Sequence, residues 1–376
     1  MKPIFDSTKF DEDVFMCSVP VPDINAHKYD NSVEFTDEQI SNYCQSQVHP
    51  SIQYRKDGFA GHQWWLVSTP YPHSTGVFEN PCVYYADSNE DGTPPRVFTP
   101  IPNNPIVKVR SNTDVNSDPD LLIDDDMGKM FLISRQNNTR YGNAAYLQES
   151  TDGINWTERG YIEESKIVAS NKIGPFNGLS ELVSPSLLKL NGKYRYFALA
   201  TRANSVKDDK ANTGKFLYFY NGDSNELKSA NECFNYTGIS PLIGNHINYW
   251  HADSFYDEQS GYIYIIASGK SYTNWKSDYI NGMWLAVSKD GGKTYTAYPR
   301  PLLLGKFYRP TATLDENRNL VIYGVFSISA PIDASLYPKG ESDMLPGNFD
   351  RNAIFLCYRK FDEIIATLEN DVRTIP

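Results

Sequence analysis

A short signature returns five times along the 376-residue chain, opening at residues 49, 118, 184, 251 and 309, about every 65 residues. Each copy starts on a polar residue, in four cases followed by proline, that leads an alternating segment. A turn and a second, more apolar run come next. His49-Pro50-Ser51-Ile52-Gln53-Tyr54 turns through Asp57-Gly58 to Gly61 into Trp64-Trp65-Leu66-Val67. Asp118-Pro119-Asp120-Leu121-Leu122-Ile123 passes Gly128-Lys129 into Met130-Phe131-Leu132-Ile133. Ser184-Pro185-Ser186-Leu187-Leu188 turns at Asn191-Gly192 into Tyr194-Arg195-Tyr196-Phe197. His251-Ala252-Asp253-Ser254-Phe255 and Arg309-Pro310-Thr311-Ala312-Thr313 complete the set, returning through Tyr262 to Ile265 and Leu320 to Tyr323. Period-two alternation, a turn and a second apolar run describe adjacent antiparallel strands.

Each period holds a third strand: Pro81 to Ala86, Ala144 to Glu149, Lys215 to Tyr220, Met283 to Val287 and Ala353 to Tyr358. Two of these run into S-x-D-G turns, at Ser150-Thr151-Asp152-Gly153 and at Ser288-Lys289-Asp290-Gly291-Gly292-Lys293-Thr294-Tyr295. The second fits the Asp-box pattern. Its aspartate bonds backbone N–H groups and its glycines allow positive φ, so it reads as a structural turn. Five copies of about four strands predict an all-β, five-bladed β-propeller. The physical reason is closure: a single sheet has two apolar faces, and a ring of sheets buries both. Residues 46–376 make the propeller and 1–45 a short N-terminal extension. In that extension Phe15 to Val21 is expected either to complete the last blade or to serve attachment, and Thr36 to Tyr43 reads as one helical turn.

In a propeller the first strand of each blade lines the axis. The opening residues His49, Asp118, Ser184, His251 and Arg309 therefore form a ring at one channel mouth. The residues two further on, Ser51, Asp120, Ser186, Asp253 and Thr311, form a second polar layer, because i and i+2 share a strand face. Tyr249, Trp250 and Tyr308 stand just before two of the openings. Converging polar groups beside aromatic faces suit a saccharide: hydrogen bonds fix its hydroxyls and a ring stacks on its apolar face. Aromatics make up 14% of the chain, which fits both strands and sugar contacts.

A formal charge of −11 and a pI near 5.1 argue against nucleic acid or an anionic membrane as partner. The cysteines, Cys17, Cys44, Cys82, Cys233 and Cys357, are odd in number and scattered, so isolated thiols are expected rather than disulfides or a zinc site. Asp124-Asp125-Asp126 reads as a solvated turn. The histidines lack H-E-x-x-H or paired spacing, and no phosphate loop is visible, so neither metal nor cofactor is expected. The N-terminus shows no signal-peptide pattern and no apolar run suits a membrane helix.

Two resemblances add to this reading. The Ser184-Pro185 step with Gly192-Lys193-Tyr194 resembles the blades of five-bladed arabinanase and β-xylosidase glycosidases. That family carries a base aspartate on blade one, where this chain has His49, a modulating aspartate on blade two, and an acid glutamate on blade three. The second-blade position is Asp118 or Asp120, but the acid's place on blade three is Val183 and the nearest glutamate is Glu181, so a glycosidase would need a rearranged site on Asp118, Asp120 and Glu181. The second resemblance is narrower and covers roughly residues 45–330. His49-Pro50-Ser51-Ile52, the run T-P-Y-P at 69–72 and Glu79-Asn80-Pro81 look like the first blade of tail receptor-binding propellers from phages of Gram-positive bacteria. Ser117-Asp118-Pro119-Asp120, Leu182-Val183-Ser184-Pro185, Trp250-His251 with Asp253, and Tyr308-Arg309 continue the match. It implies a non-hydrolytic propeller on the virion tail, made in a host cytoplasm, that binds a host cell-wall glycan of teichoic-acid type. It also implies other tail proteins as partners and, as an open expectation, a homotrimer. On this reading Asp118, Asp120 and Asp253 accept from sugar hydroxyls. Ser184 and Tyr308 line the mouth, His49, His251 and Arg309 donate, and Trp250 stacks.

Overall fold

The structure is a computed structural model that describes residues 2–20, 46–71, 78–108, 115–138, 142–162, 179–202, 218–227, 235–243, 247–272, 279–305, 307–328 and 351–374. Five small sheets stand in a ring as a five-bladed β-propeller. Chain order begins with β1 (Phe15–Met16), which waits for the last blade. Blade one is β2 (Gln47–Phe59), β3 (His62–Pro70), β4 (Cys82–Ala86) and β5 (Thr99–Pro100). Blade two is β6 (Val115–Asp124), β7 (Lys129–Asn138), β8 (Gly142–Ser150) and β9 (Thr157–Ile162). Blade three is β10 (Leu179–Leu190), β11 (Lys193–Arg202), β12 (Tyr218–Ser224) and β13 (Asn235–Ile243). Blade four is β14 (Ile247–Asp257), β15 (Tyr262–Tyr272), β16 (Tyr279–Ser288) and β17 (Tyr295–Ala297), with β18 (Leu303–Leu304) on β16. Its ladder joins that of blade three where β17 pairs parallel with β13. Blade five is β19 (Phe307–Leu314), β20 (Asn319–Ile328) and β21 (Arg351–Lys360). The N-terminal β1 adds to it, Phe15 opposite Leu356, so the two ends of the chain close the ring.

Alternation along each strand explains how the blades pack. On β3, Trp64 and Leu66 lie in a core with Val321, Tyr323 and Leu356 of blade five. The intervening Trp65 and Val67 lie in another with Leu121, Ile123 and Leu132 of blade two. One strand thus serves two interfaces, which a period of two requires. The three described cysteines, Cys17, Cys82 and Cys357, are free thiols.

The chain is not wholly β. Residues Phe361–Thr374 form a helix, α1, that the strand reading passed over. Phe361, Ile364 and Leu368 lie one face apart and join the core shared by blades four and five with Phe5, Phe255 and Tyr264. Asp362 and Glu363 stand in its positive first turn and Arg373 in its last, as the helix dipole favours. The acidic triplet also departs from expectation. Asp125 and Asp126 are exposed, but Asp124 is buried and accepts from Lys189 Nζ at 2.6 Å and from the Tyr194 hydroxyl. It ties blade two to blade three. The expected helical turn at 36–43 lies outside the described residues.

Candidate functional site

The five innermost strands, β2, β6, β10, β14 and β19, pack in sequence around the axis. Every one carries a register break at its opening: between Val48 and Ser51, Ser117 and Asp120, Val183 and Ser186, Tyr249 and His251, and Tyr308 and Thr311. In the four copies with proline, the residue before it sits in the left-handed region: His49 at φ 54°, Asp118 at 51°, Ser184 at 55° and Arg309 at 48°. A non-glycine L-residue pays on the order of 1 kcal/mol or more for that conformation. The bulge takes the opening side chain out of the alternation and re-aims it. All five then meet at one axial cluster.

Asp118 is its centre. Its carboxylate is fully buried. Arg135 Nε lies 2.8 Å from Oδ2, while Arg309 Nη2, His49 Nε2 and His251 Nδ1 lie 3.4, 3.5 and 3.6 Å from Oδ1. These contacts are close but poorly aligned, and neither carboxylate oxygen makes a hydrogen bond of good geometry. Burial pushes the carboxyl up, but Arg309 and Arg135, with the imidazoles, more than reverse it and hold Asp118 well below the usual carboxylate range. The two imidazole rings are 5.4 Å apart. Burial drives His49 down to about 3, and burial also drives His251 well below its ordinary value, so both are neutral near pH 7. Ser184 Oγ is 3.2 Å from His251 Nδ1. Tyr308 edges the cluster, its ring 6.3 Å from that of His251 and its hydroxyl donating to Asn352 Oδ1 at 2.8 Å.

Two ionisable members were not singled out from the sequence. Glu79 lies 4.0 Å from His49 Nδ1, and burial, then the charge of Asp118, raises its carboxyl to about 8. Its only signal was its place in the Glu79-Asn80-Pro81 step. Arg135 sits on β7 opposite Ser117, a cation two residues past the apolar run Met130–Ile133, and that change is the signal that could have found it.

The second layer does something else. Ser51 Oγ donates to Asp120 Oδ1 at 2.7 Å, joining blades one and two. Leu187 N–H donates to Asp120 Oδ2 at 2.7 Å, reaching blade three. Ser186 Oγ donates to Asp253 Oδ1 at 2.9 Å, reaching blade four. The Thr311 hydroxyl bonds Asp253, and Ile52 N–H donates to Thr311 Oγ1 at 3.0 Å, which returns the belt to blade one. Burial raises both Asp120 and Asp253, and the charge of Asp253 adds to the shift on Asp120. Asp120 and Asp253, placed at the ligand from the sequence, have their carboxylates engaged in stitching blades. Ser51→Ala is expected to cost about 1–3 kcal/mol, since it strips the buried Asp120 Oδ1 and Leu121 N–H of a partner. An unchanged urea midpoint would count against the belt. The side chains of Glu181 and Trp250 lie outside the described residues.

At the other end of the axis a basin of about 680 Å³ opens between the strand ends. Its cations are paired with carboxylates: Arg55 with Asp125 at 2.8 Å, Lys56 with Glu316 at 3.3 Å, Lys189 with Asp126 at 3.0 Å and Arg318 with Asp257 at 3.0 Å.

No protein-family model matches the sequence, and no curated protein does. Solved structures do match. One is an N-acetylgalactosamine deacetylase from F. plautii in complex with blood group B trisaccharide, at a TM-score of 0.65 and 14% identity, covering 95% of this chain and 98% of that one. Another is the α-L-arabinofuranosidase Arb93A from Fusarium graminearum with an iminosugar inhibitor, at 0.51 and 11%, covering 94% and 99%. The likeness is one of fold. At such identities neither activity transfers to this chain by descent alone.

Proposed function

We propose that this propeller binds a host-surface saccharide at its axial mouth as part of a phage tail receptor-binding protein. The observation that carries the reading is the five bulged openings that turn His49, Asp118, Ser184, His251 and Arg309 onto one point. Asp118 offers two buried oxygens without aligned partners, suited to sugar hydroxyls. The imidazoles and the Ser184 hydroxyl supply further donors and acceptors, and Arg309 suits an acetamido or phosphate oxygen. Two proteins of the same fold carry a trisaccharide and an iminosugar, which favours sugar as the ligand class. The phage setting, with other tail proteins as partners and trimeric assembly, rests on the sequence motifs of blades one to five.

The rival reading, a glycosidase using Asp118, Asp120 and Glu181, needs a paired acid and base. Asp120 is engaged on both oxygens by the interblade belt, so it is poorly placed to move protons to a substrate. A glycan array followed by calorimetry tests the binding reading. The His49→Ala/His251→Ala double variant is expected to lose at least tenfold in affinity for the saccharide the native chain selects. Undiminished binding by that folded variant would refute the site. Release of reducing sugar from the bound glycan would favour the glycosidase.

A further inference from the structure

We infer that the axial mouth is a site for a first-row divalent metal ion of zinc type, held by His49 Nε2, Asp118 Oδ1 and His251 Nδ1. One ligand atom from each of the three residues lies within 4.8 Å of the other two. Two edges of the triangle are measured, at 3.5 Å for His49 to Asp118 and 3.6 Å for His251 to Asp118. Metal–nitrogen and metal–oxygen bonds of about 2.0–2.2 Å in a tetrahedron put neighbouring ligands about 3.4 Å apart. Both imidazole nitrogens therefore already stand at the separation from Asp118 Oδ1 that a tetrahedral ion demands.

Two further observations agree. The atom that would face the ion on Asp118, Oδ1, is buried and has no aligned hydrogen bond. Next, Thr69 Oγ1 donates to Val48 O at 3.4 Å and stands 3.3 Å from His49 Nδ1. With its own proton used there, the hydroxyl is an acceptor for Nδ1–H, which leaves Nε2 bare on the Asp118 side. Such an outer partner is what orients a metal-ligating imidazole. The Asp118 N–H also approaches Nδ1, at 3.4 Å, and favours the other tautomer, so ion binding must shift that balance. Ser184 Oγ lies 3.2 Å from His251 Nδ1, a contact that the ion must displace.

The ligand set selects the ion. Two imidazoles and one carboxylate suit zinc and its neighbours, whereas calcium takes six to eight oxygens. Arg309 and Arg135 oppose a dication, because both guanidiniums stand on Asp118. Their repulsion weakens binding and favours an anionic or strongly polarised oxygen as fourth ligand. That oxygen can come from a saccharide, but the ion site itself stands without the saccharide reading.

The test uses the full chain after dialysis against a chelator and then against metal-free buffer, titrated calorimetrically with zinc chloride and separately with calcium chloride. One zinc per chain is expected, with no calcium heat. Cobalt(II) is expected to give the intense visible bands of tetrahedral coordination. His49→Ala and His251→Ala should each weaken zinc at least tenfold, and Thr69→Ala, which touches no ion, should weaken it about tenfold through the imidazole it orients. The proposal falls if the native chain takes up well under one zinc, or if the His49→Ala/His251→Ala double variant, folded by circular dichroism, still takes up one. Glycan binding is then measured in zinc and in chelator. Zinc uptake without any glycan binding would overturn the saccharide reading alone, and glycan binding without zinc uptake would overturn the metal site alone.

Discussion

Asp118→Asn is expected to destabilise the native chain by about 3–5 kcal/mol, the usual cost of leaving a buried charge without its partner. The substitution keeps the shape and removes the charge. Arg309, 2% exposed, then has no countercharge at Oδ1, and Arg135 loses the carboxylate 2.8 Å from its Nε. The effect reaches beyond blade two, since Arg309 opens blade five and the imidazoles open blades one and four. Urea unfolding at neutral pH reads it, and a midpoint equal to the native one would refute the role given to Asp118. Arg135→Gln in the same background should recover part of the loss, because it removes one stranded cation. The pH dependence has a definite sign. The folded value is depressed, so this stabilisation is present above the ordinary carboxylate value of 3.8 and is lost as pH falls through the depressed value.

The second large effect lies far from the mouth. Gly153→Ala is expected to cost about 2–5 kcal/mol. Gly153 is at φ +70°, and a Cβ there would stand 2.1 Å from Cη2 and 2.4 Å from Cζ3 of Trp65. Trp65 cannot retreat: it is 1% exposed, packs among Leu121, Ile123 and Leu132, and donates from Nε1 to Phe59 O at 3.0 Å. Overpacking a tight core costs about 1–3 kcal/mol and the left-handed conformation about 1–2 more. Gly128→Ala is the control. It is at φ +60° with nothing within 4 Å of its added Cβ, so only the conformational part should appear. Equal midpoints for the two variants would exclude the clash. The turn around Gly153 is built as its sequence suggests, with Asp152 Oδ1 accepting from Ile154 and Asn155 N–H at 2.9 and 2.7 Å. What the sequence did not disclose is that this turn of blade two is seated on a tryptophan of blade one.

The architecture was legible because its cause is local and repeated. A strand that must serve two interfaces alternates, a glycine turn returns it, and five such units have a closed ring as a way to bury both faces. Helix α1 was legible too, in Phe361, Ile364, Ile365 and Leu368 at helical spacing, but the strand pattern before it overshadowed that signal. The triplet at 124–126 gave no hint that Asp124 would be buried, because its partners Lys189 and Tyr194 belong to the next blade.

The site was half legible. Asp118 and Asp120 are two residues apart, and simple alternation puts them on one face. The bulge between Ser117 and Asp120 breaks that rule, sending Asp118 to the mouth and Asp120 into the belt. A metal motif was invisible for a related reason. Motifs record ligands that share one helix or loop, whereas His49, Asp118 and His251 belong to three blades. By itself the sequence determined the repeat, the blades and which residue opens each inner strand, since these follow from periodicity along one chain. Only the tertiary structure decided which of those openings meet, which carboxylates are engaged between blades, and that Glu79 and Arg135 join the cluster. Closing a ring brings together atoms whose separation along the chain carries no information about their distance in space.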